Sequence, residues 1–222
     1  MNKVNVIEAL AHVERPFTLV LVAHVGSLVM HAYICQGSVD WHRHIDNDEL
    51  FLVRQGWIVL ESEWGNVTLK PDEMVVVPKG VGHRSGSQLR AVVLLVQPAA
   101  MADHKNGHRR IFAIPRENEL VKFKLMDVAS RADPFCPEPV TNVEELTAQV
   151  MVGEGVSPEF VNTLSDSLWL VLQGKAQMEA EGETVDMEEG DLVVIGRDVP
   201  HRWSNSGHTV MFLLSRWAEV TC

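Results

Sequence analysis

The stretch WHRHIDNDELFLVRQG, residues 41–56, sets two histidines one residue apart, then a glutamate, then an unbroken apolar run. Side chains alternate along a strand, so His42 and His44 point to the same face. Glu49 follows a short polar turn, Ile45-Asp46-Asn47-Asp48, and opens the run Leu50-Phe51-Leu52-Val53.

The tail of that stretch, DELFLVRQG (48–56), recurs as DSLWLVLQG (166–174), a shift of 166 − 48 = 118. The same shift, without a gap, carries Pro16-Phe17 onto Pro134-Phe135 and Gly37 onto Gly155. It also carries Val75-Val76 onto Val193-Val194 and His83-Arg84 onto His201-Arg202. One register kept over so long a span marks an internal duplication. The chain reads as two copies of one domain, residues 1–100 and 119–222, joined by a polar linker over 101–118. Within each copy, short runs rich in valine, leucine and isoleucine alternate with Gly, Pro, Asn and Asp. In the first they are TLVLVA, LVMHAYI, LFLV, IVLES, VTLK, MVVVP and AVVLLV. Helix is expected at most over 4–13 and 142–149, and the second segment reads equally well as strand. Many short strands without interposed helices predict an all-β chain of two closed barrels or jelly rolls.

Bulk properties narrow the function. With 46% hydrophobic and 22% charged residues, the composition is that of a soluble globular protein. A net charge of −11 repels phosphate backbones, which excludes nucleic acid as a natural partner and argues against a cationic membrane-surface role. No apolar run approaches the roughly 18 residues of a membrane span. The N-terminus shows no secretory signal pattern, and three scattered cysteines, Cys35, Cys136 and Cys222, fit a reducing cytoplasm better than a disulfide framework. The expected location is therefore cytoplasmic.

His83 lies 34 positions after Glu49 (83 − 49), inside VPKGVGHRS. Three imidazoles and one carboxylate suit Fe(II), Mn(II), Ni(II) or Zn(II). The trio His42, His44 and Glu49 would fix three corners of such a site, and His83 on a distant strand would close the fourth. Four protein ligands on an octahedral ion leave two positions for water, substrate or dioxygen.

With these residues laid out, the first half resembles the cupin superfamily. The pattern G…HxH…E…G is met by Gly37, His42, His44, Glu49 and Gly56, and PxGxxH by Pro78, Gly80 and His83. Asp72 stands where the second motif usually begins with glycine, and the gap after Gly37 is one residue shorter than the common form. The resemblance implies two tandem jelly-roll barrels of the double-stranded β-helix type, a bicupin. It implies one divalent transition metal (Fe, Mn, Ni or Zn) held in the first barrel by His42, His44, Glu49 and His83. It further implies that the second barrel acts as a built-in partner, an intrachain pseudo-dimer covering apolar surface such as the Leu50/Leu52 face, with a homodimer as a further level of assembly.

The shift of 118 turns His42 into Phe160, His44 into Asn162 and Glu49 into Ser167, and keeps only His201. The second barrel is therefore expected to be metal-free, with Phe160 and Trp169 filling its interior. In the first, parity from Glu49 turns Phe51 and Val53 inward, and parity from His83 turns Ser85 and Ser87 inward. Strand 28–35 presents either Met30, Ala32 and Ile34 or His31, Tyr33 and Cys35 to the interior, and sequence does not decide between them. In the second case Tyr33 and His31 are the candidate catalytic residues, placed to orient a substrate or relay a proton. The expected function is a metal-dependent enzyme acting on a small molecule. Dioxygenase-like oxidoreductase chemistry is placed ahead of a sugar- or carbonyl-isomerase-like Lewis-acid reaction. The alternative is a non-catalytic small-molecule binding or sensing module.

Overall fold

A computed structural model describes residues 1–99 and 119–216. The expected linker over 101–118, with His104 and His108, lies outside the described residues. The first half runs β1 (Lys3–Asn5), α1 (Val6–Ala9), β2 (Val20–Val25), β3 (Leu28–Ser38), β4 (Glu49–Gln55), β5 (Ile58–Ser62), β6 (Gly65–Leu69), β7 (Glu73–Val77) and β8 (His83–Pro98). The second runs β9 (Lys122–Lys124), α2 (Leu125–Ala129), β10 (Glu138–Val143), β11 (Leu146–Val156), β12 (Ser167–Gln173), β13 (Lys175–Ala180), β14 (Glu183–Glu188), β15 (Asp191–Ile195) and β16 (His201–Ser215). The 118-residue shift maps β2, β3, β4 and β7 onto β10, β11, β12 and β15 end to end.

The chain is all-β, as predicted, in two antiparallel sheets of eight strands that form tandem barrels. Of the two segments read as possible helix, 4–13 shortens to α1, capped by the Asn5 side chain accepting from Ile7 N and Glu8 N. The segment 142–149 becomes the β10–β11 hairpin, its strand reading. α2, the counterpart of α1, carried no sequence signal strong enough to single it out. Each half also lends its first strand to the other. β1 pairs with β15 (Lys3 opposite Val193), and β9 pairs with β7 (Glu73 opposite Lys124).

The unbroken apolar runs have a physical reason. β4 and the end of β8 are buried on both faces. Leu50, Leu52, Leu94 and Val96 join Leu168, Leu170, Phe212 and Leu214 of the second half in one apolar core between the barrels. Phe51, Val53, Val93 and Leu95 point the other way, into the first barrel. β5, whose outer face meets solvent, alternates instead: Ile58 and Leu60 are buried, Val59 and Glu61 are not. The same parity resolves β3. Met30, Ala32 and Ile34 belong to the inter-barrel core, while Tyr33 and Cys35 belong to the barrel interior.

Asp72, the departure from the expected glycine, sits at φ 60°, and its counterpart Gly190 sits at φ 86°. The backbone needs a left-handed residue here, and aspartate is among the few that tolerate it. Its carboxylate pairs with Arg54, whose guanidinium also donates to Leu172 O at 3.1 Å, across the seam between the halves. Gly56, which ends the first motif, is fixed more strictly: at φ 71° a Cβ would lie 2.8 Å from Arg90 O.

No helix among the described residues is long and apolar enough to cross a membrane. Cys35 is a buried free thiol, but Cys136 is disulfide-bonded, which departs from the reading of the cysteines as reduced throughout.

Because the seam is shared, the two barrels should unfold together. Leu52 is fully buried in it, so Leu52→Ala is expected to cost about 2–5 kcal/mol. Urea denaturation should show one transition by every probe, shifted to lower midpoint.

Candidate metal centre

Backbone pairing brings the histidines together before any side chain acts. His42 and His83 exchange both main-chain hydrogen bonds, His42 N to His83 O at 3.0 Å and His83 N to His42 O at 2.9 Å. Gly80 N donates to His44 O at 2.6 Å, tying the 78–83 segment to the HxH loop. Glu49 opens β4 opposite Val77 of β7. The result is a cluster of His42, His44, Glu49 and His83 whose ligand atoms all lie within 4.8 Å of one another.

The donor chemistry fits a cation. His42 Nδ1 lies 2.9 Å from Asp40 O, and His83 Nδ1 lies 3.0 Å from Val81 O. A carbonyl oxygen only accepts, so each Nδ1 carries a proton and each ring turns its Nε2 inward. Glu49 Oε2 meets His44 Nε2 at 3.0 Å and His83 Nε2 at 2.9 Å. Two ligands about 2.1 Å from one ion at right angles stand about 3.0 Å apart, so these spacings are compatible with a shared six-coordinate cation. Glu49 is 3% exposed and His83 is 1% exposed. Glu49 Oε2 and His83 Nε2 have no hydrogen-bond partner of acceptable geometry. A buried carboxylate facing imidazole lone pairs needs a cation or a proton between them.

Burial alone raises the Glu49 pKa, but the close approach of the His44 and His83 rings outweighs it and holds the carboxyl down to about 2. Burial lowers the pKa of His42, keeping its ring neutral and available as a donor.

The wall is mostly apolar: Phe51 meets the His83 ring edge-on at 5.9 Å, and Val53, Val75, Val77 and Leu95 continue the surface. Of the two candidates on β3, Tyr33 belongs to the barrel interior. Tyr33 is 3% exposed, with its Oη 3.4 Å from Ser85 Oγ, and burial raises its pKa, which keeps the phenol protonated. His31 shares Tyr33's face by parity and is half-buried. Burial and nearby His24 lower its pKa. Ser85 and Ser87 are buried, as inward-facing residues should be. Arg84 turns outward to Glu61 at 2.8 Å and over exposed Trp41. Sequence reasoning passed over Gln97, which shares the parity of Leu95 and places its Nε2 3.4 Å from His31 Nδ1. Alternation along AVVLLVQ would have found it.

The second barrel repeats the frame without the ligands. Phe160 and His201 exchange backbone hydrogen bonds as His42 and His83 do, at 2.7 and 2.9 Å. Phe160 and Trp169 stand 5.8 Å apart, and Trp169 is 5.3 Å from His201. Ser167, in the place of Glu49, accepts from Trp169 Nε1 at 3.1 Å. Asn162 turns its Oδ1 to Leu164 N at 3.0 Å, capping its own loop.

Comparison with known proteins agrees with this architecture. The family model described as "Cupin domain" matches residues 146–216, and that described as "Homogentisate 1,2-dioxygenase N-terminal" matches residues 3–93. The uncharacterized protein YdbB of Bacillus subtilis (strain 168) is 32% identical over 77 residues, 34% of this chain and 68% of that protein. Among solved structures, a cupin 2 conserved barrel domain protein from Leptotrichia buccalis superposes with a TM-score of 0.73 at 10% identity, covering 97% of this chain and 96% of the other. A salicylate 1,2-dioxygenase from Pseudaminobacter salicylatoxidans gives 0.70 at 12% identity, covering 90% and 76%. At these identities the structural likeness concerns the fold alone.

A carboxyl held below its ordinary value stabilises the fold above pH 4.5 and loses that contribution as pH falls towards 2. In the metal-free protein, unfolding free energy should therefore drop more steeply between pH 4.5 and 2 in the wild type than in Glu49→Gln. Urea titrations at stepped pH measure this; parallel curves would contradict the assignment.

Proposed function

The chain belongs to the cupin superfamily, and from that membership and the buried quartet we propose that its first barrel is a mononuclear divalent-metal centre acting on a small molecule by oxygenase chemistry. The observation that carries the reading is Glu49 set 2.9–3.0 Å from two imidazole nitrogens in a buried, mostly apolar interior. The match of residues 3–93 to the N-terminal part of homogentisate 1,2-dioxygenase supports oxygenase over other metal chemistry.

His42, His44, Glu49 and His83 are the residues to hold the ion. Iron(II), when bound, supplies the redox chemistry that the use of dioxygen requires. The surrounding chain does the rest. Phe51, Val53, Val75, Val77 and Leu95 exclude water. The Tyr33 hydroxyl keeps its proton and can donate it in a hydrogen bond to a substrate oxygen. Among the described residues of the inner wall there is no lysine or arginine: Arg54 is engaged by Asp72 and Arg84 by Glu61. The substrate this interior suits is uncharged there, an aromatic diol or a diketone, and not a phosphorylated compound.

His31 favours a second reading, Lewis-acid isomerisation. Its lowered pKa keeps the ring neutral near pH 7, able to take up a proton.

Elemental analysis of protein purified without added metal is expected to give one equivalent per chain, unchanged in His201→Gln and lost in Glu49→Ala. Two equivalents, or retention in Glu49→Ala, would overturn the site. Oxygen-electrode screening of the iron-loaded protein against catechol-like and diketone substrates should show uptake. Zinc-loaded protein that turns over substrate without oxygen selects the isomerase reading. A tightly held metabolite with no turnover selects a binding module.

A further inference from the structure

The hairpin turn between β10 and β11 is where the two halves differ in a way that packing does not explain. The matching turn of the first half, between β2 and β3, uses Gly26 at φ 59°. At the duplicated position (26 + 118 = 144) stands Glu144, at φ 49°. Glycine enters the left-handed region without steric cost; glutamate does not.

Its side chain reaches the first barrel. Glu144 accepts a hydrogen bond from Asp48 N at 2.6 Å. Asp48 immediately precedes Glu49, and its own carboxylate accepts from Lys79 N at 2.9 Å, on the segment that leads to His83. One carboxylate of the second barrel thus grips the junction from which Glu49 and, through Asp48, the 79–83 segment depart. The reverse contact has no means to form, because Gly26 has no side chain to reach Asp166, the counterpart of Asp48. The neighbouring Glu145 serves a different purpose and accepts from the Ser27 hydroxyl, turn to turn.

We propose that Glu144 is a positioning residue for the metal site: a group of the metal-free barrel that fixes the backbone at Asp48 and so aims Glu49. This rests on the reading of His42, His44, Glu49 and His83 as metal ligands. The second barrel then does more than cover a face of the first. It supplies part of the frame on which the ligands are set.

The test is Mn(II) titration of the metal-stripped full-length chain, followed through the EPR signal of free Mn(II). E144G is expected to bind about tenfold more weakly than the wild type, as loss of an outer support for a ligand does. Its metal-free thermal midpoint should be unchanged or raised, because glycine relieves the left-handed conformation. E144Q keeps an acceptor oxygen and should stay within about threefold of the wild type. E144G that binds like the wild type overturns the proposal. So does E144Q as weak as E144G, or weakened binding accompanied by a lower metal-free midpoint, which marks a purely structural role. A wild-type chain that takes up no Mn(II), Fe(II) or Zn(II) defeats the metal reading itself, a result distinct from wild-type binding with E144G unaffected.

Discussion

A carboxylate buried to 3% exposure, with imidazole nitrogens 2.9 and 3.0 Å away, is the constraint around which the first barrel is organised. Such a group is costly unless positive charge meets it. Every local feature of the motif serves to hold that arrangement. The His42–His83 backbone pair sets two rings side by side, and Nδ1 hydrogen bonds to Asp40 O and Val81 O fix which nitrogen faces the carboxylate. The separation of proton-bearing and lone-pair nitrogens is thus decided by the main chain, outside the site, before any ion arrives.

The second constraint is the seam. Sheets whose inner face lines a barrel usually show water their outer face and alternate in sequence. Here β4 and β12 are apolar on both sides because Leu50 and Leu52 meet a core that also holds Leu168 and Leu170. The exchange of β1 and β9, and Arg54 reaching Leu172 O, close the same junction with hydrogen bonds. Neither sheet's seam face could be left to solvent without exposing a large apolar patch.

Much of this was legible in the sequence because it rests on periodicity. The gap-free shift between DELFLVRQG and DSLWLVLQG gave the strand pattern twice over, and the two-sided burial of LFLV is what an unbroken apolar run implies. The quartet was legible because HxH puts both rings on one face and because PxGxxH places a third at a strand start. What stayed hidden depends on geometry across the duplication. Parity alone left β3 undecided, and only contact with the second barrel sends Met30 and Ile34 to the seam and Tyr33 inward. α2 was too short to show a period. The strand exchange left no mark, since Lys3–Asn5 and Lys122–Lys124 read alike whichever sheet they join. The Cys136 disulfide could not be read from an odd count of scattered cysteines.

The pattern of divergence between the halves says what each position is for. Seam residues are kept in kind: Leu50 and Leu52 correspond to Leu168 and Leu170, and Leu94 and Val96 to Phe212 and Leu214. Interior residues are kept only in part: Val53, Val75 and Leu95 recur as Val171, Val193 and Leu213, and His83 as His201. Elsewhere Tyr33 becomes Met151, Phe51 becomes Trp169, Ser85 becomes Trp203, and His42, His44 and Glu49 give way to Phe160, Asn162 and Ser167. Large apolar side chains occupy the second interior, so that barrel gains from packing where the first holds polar groups. A buried polar cluster weakens the fold that contains it, and trading such stability for function is common at active sites. A solid twin fused across a shared apolar core offsets that weakness. The duplication therefore separates two demands that one barrel meets poorly together: one copy keeps the buried polar cluster, and the other keeps an interior of large apolar side chains.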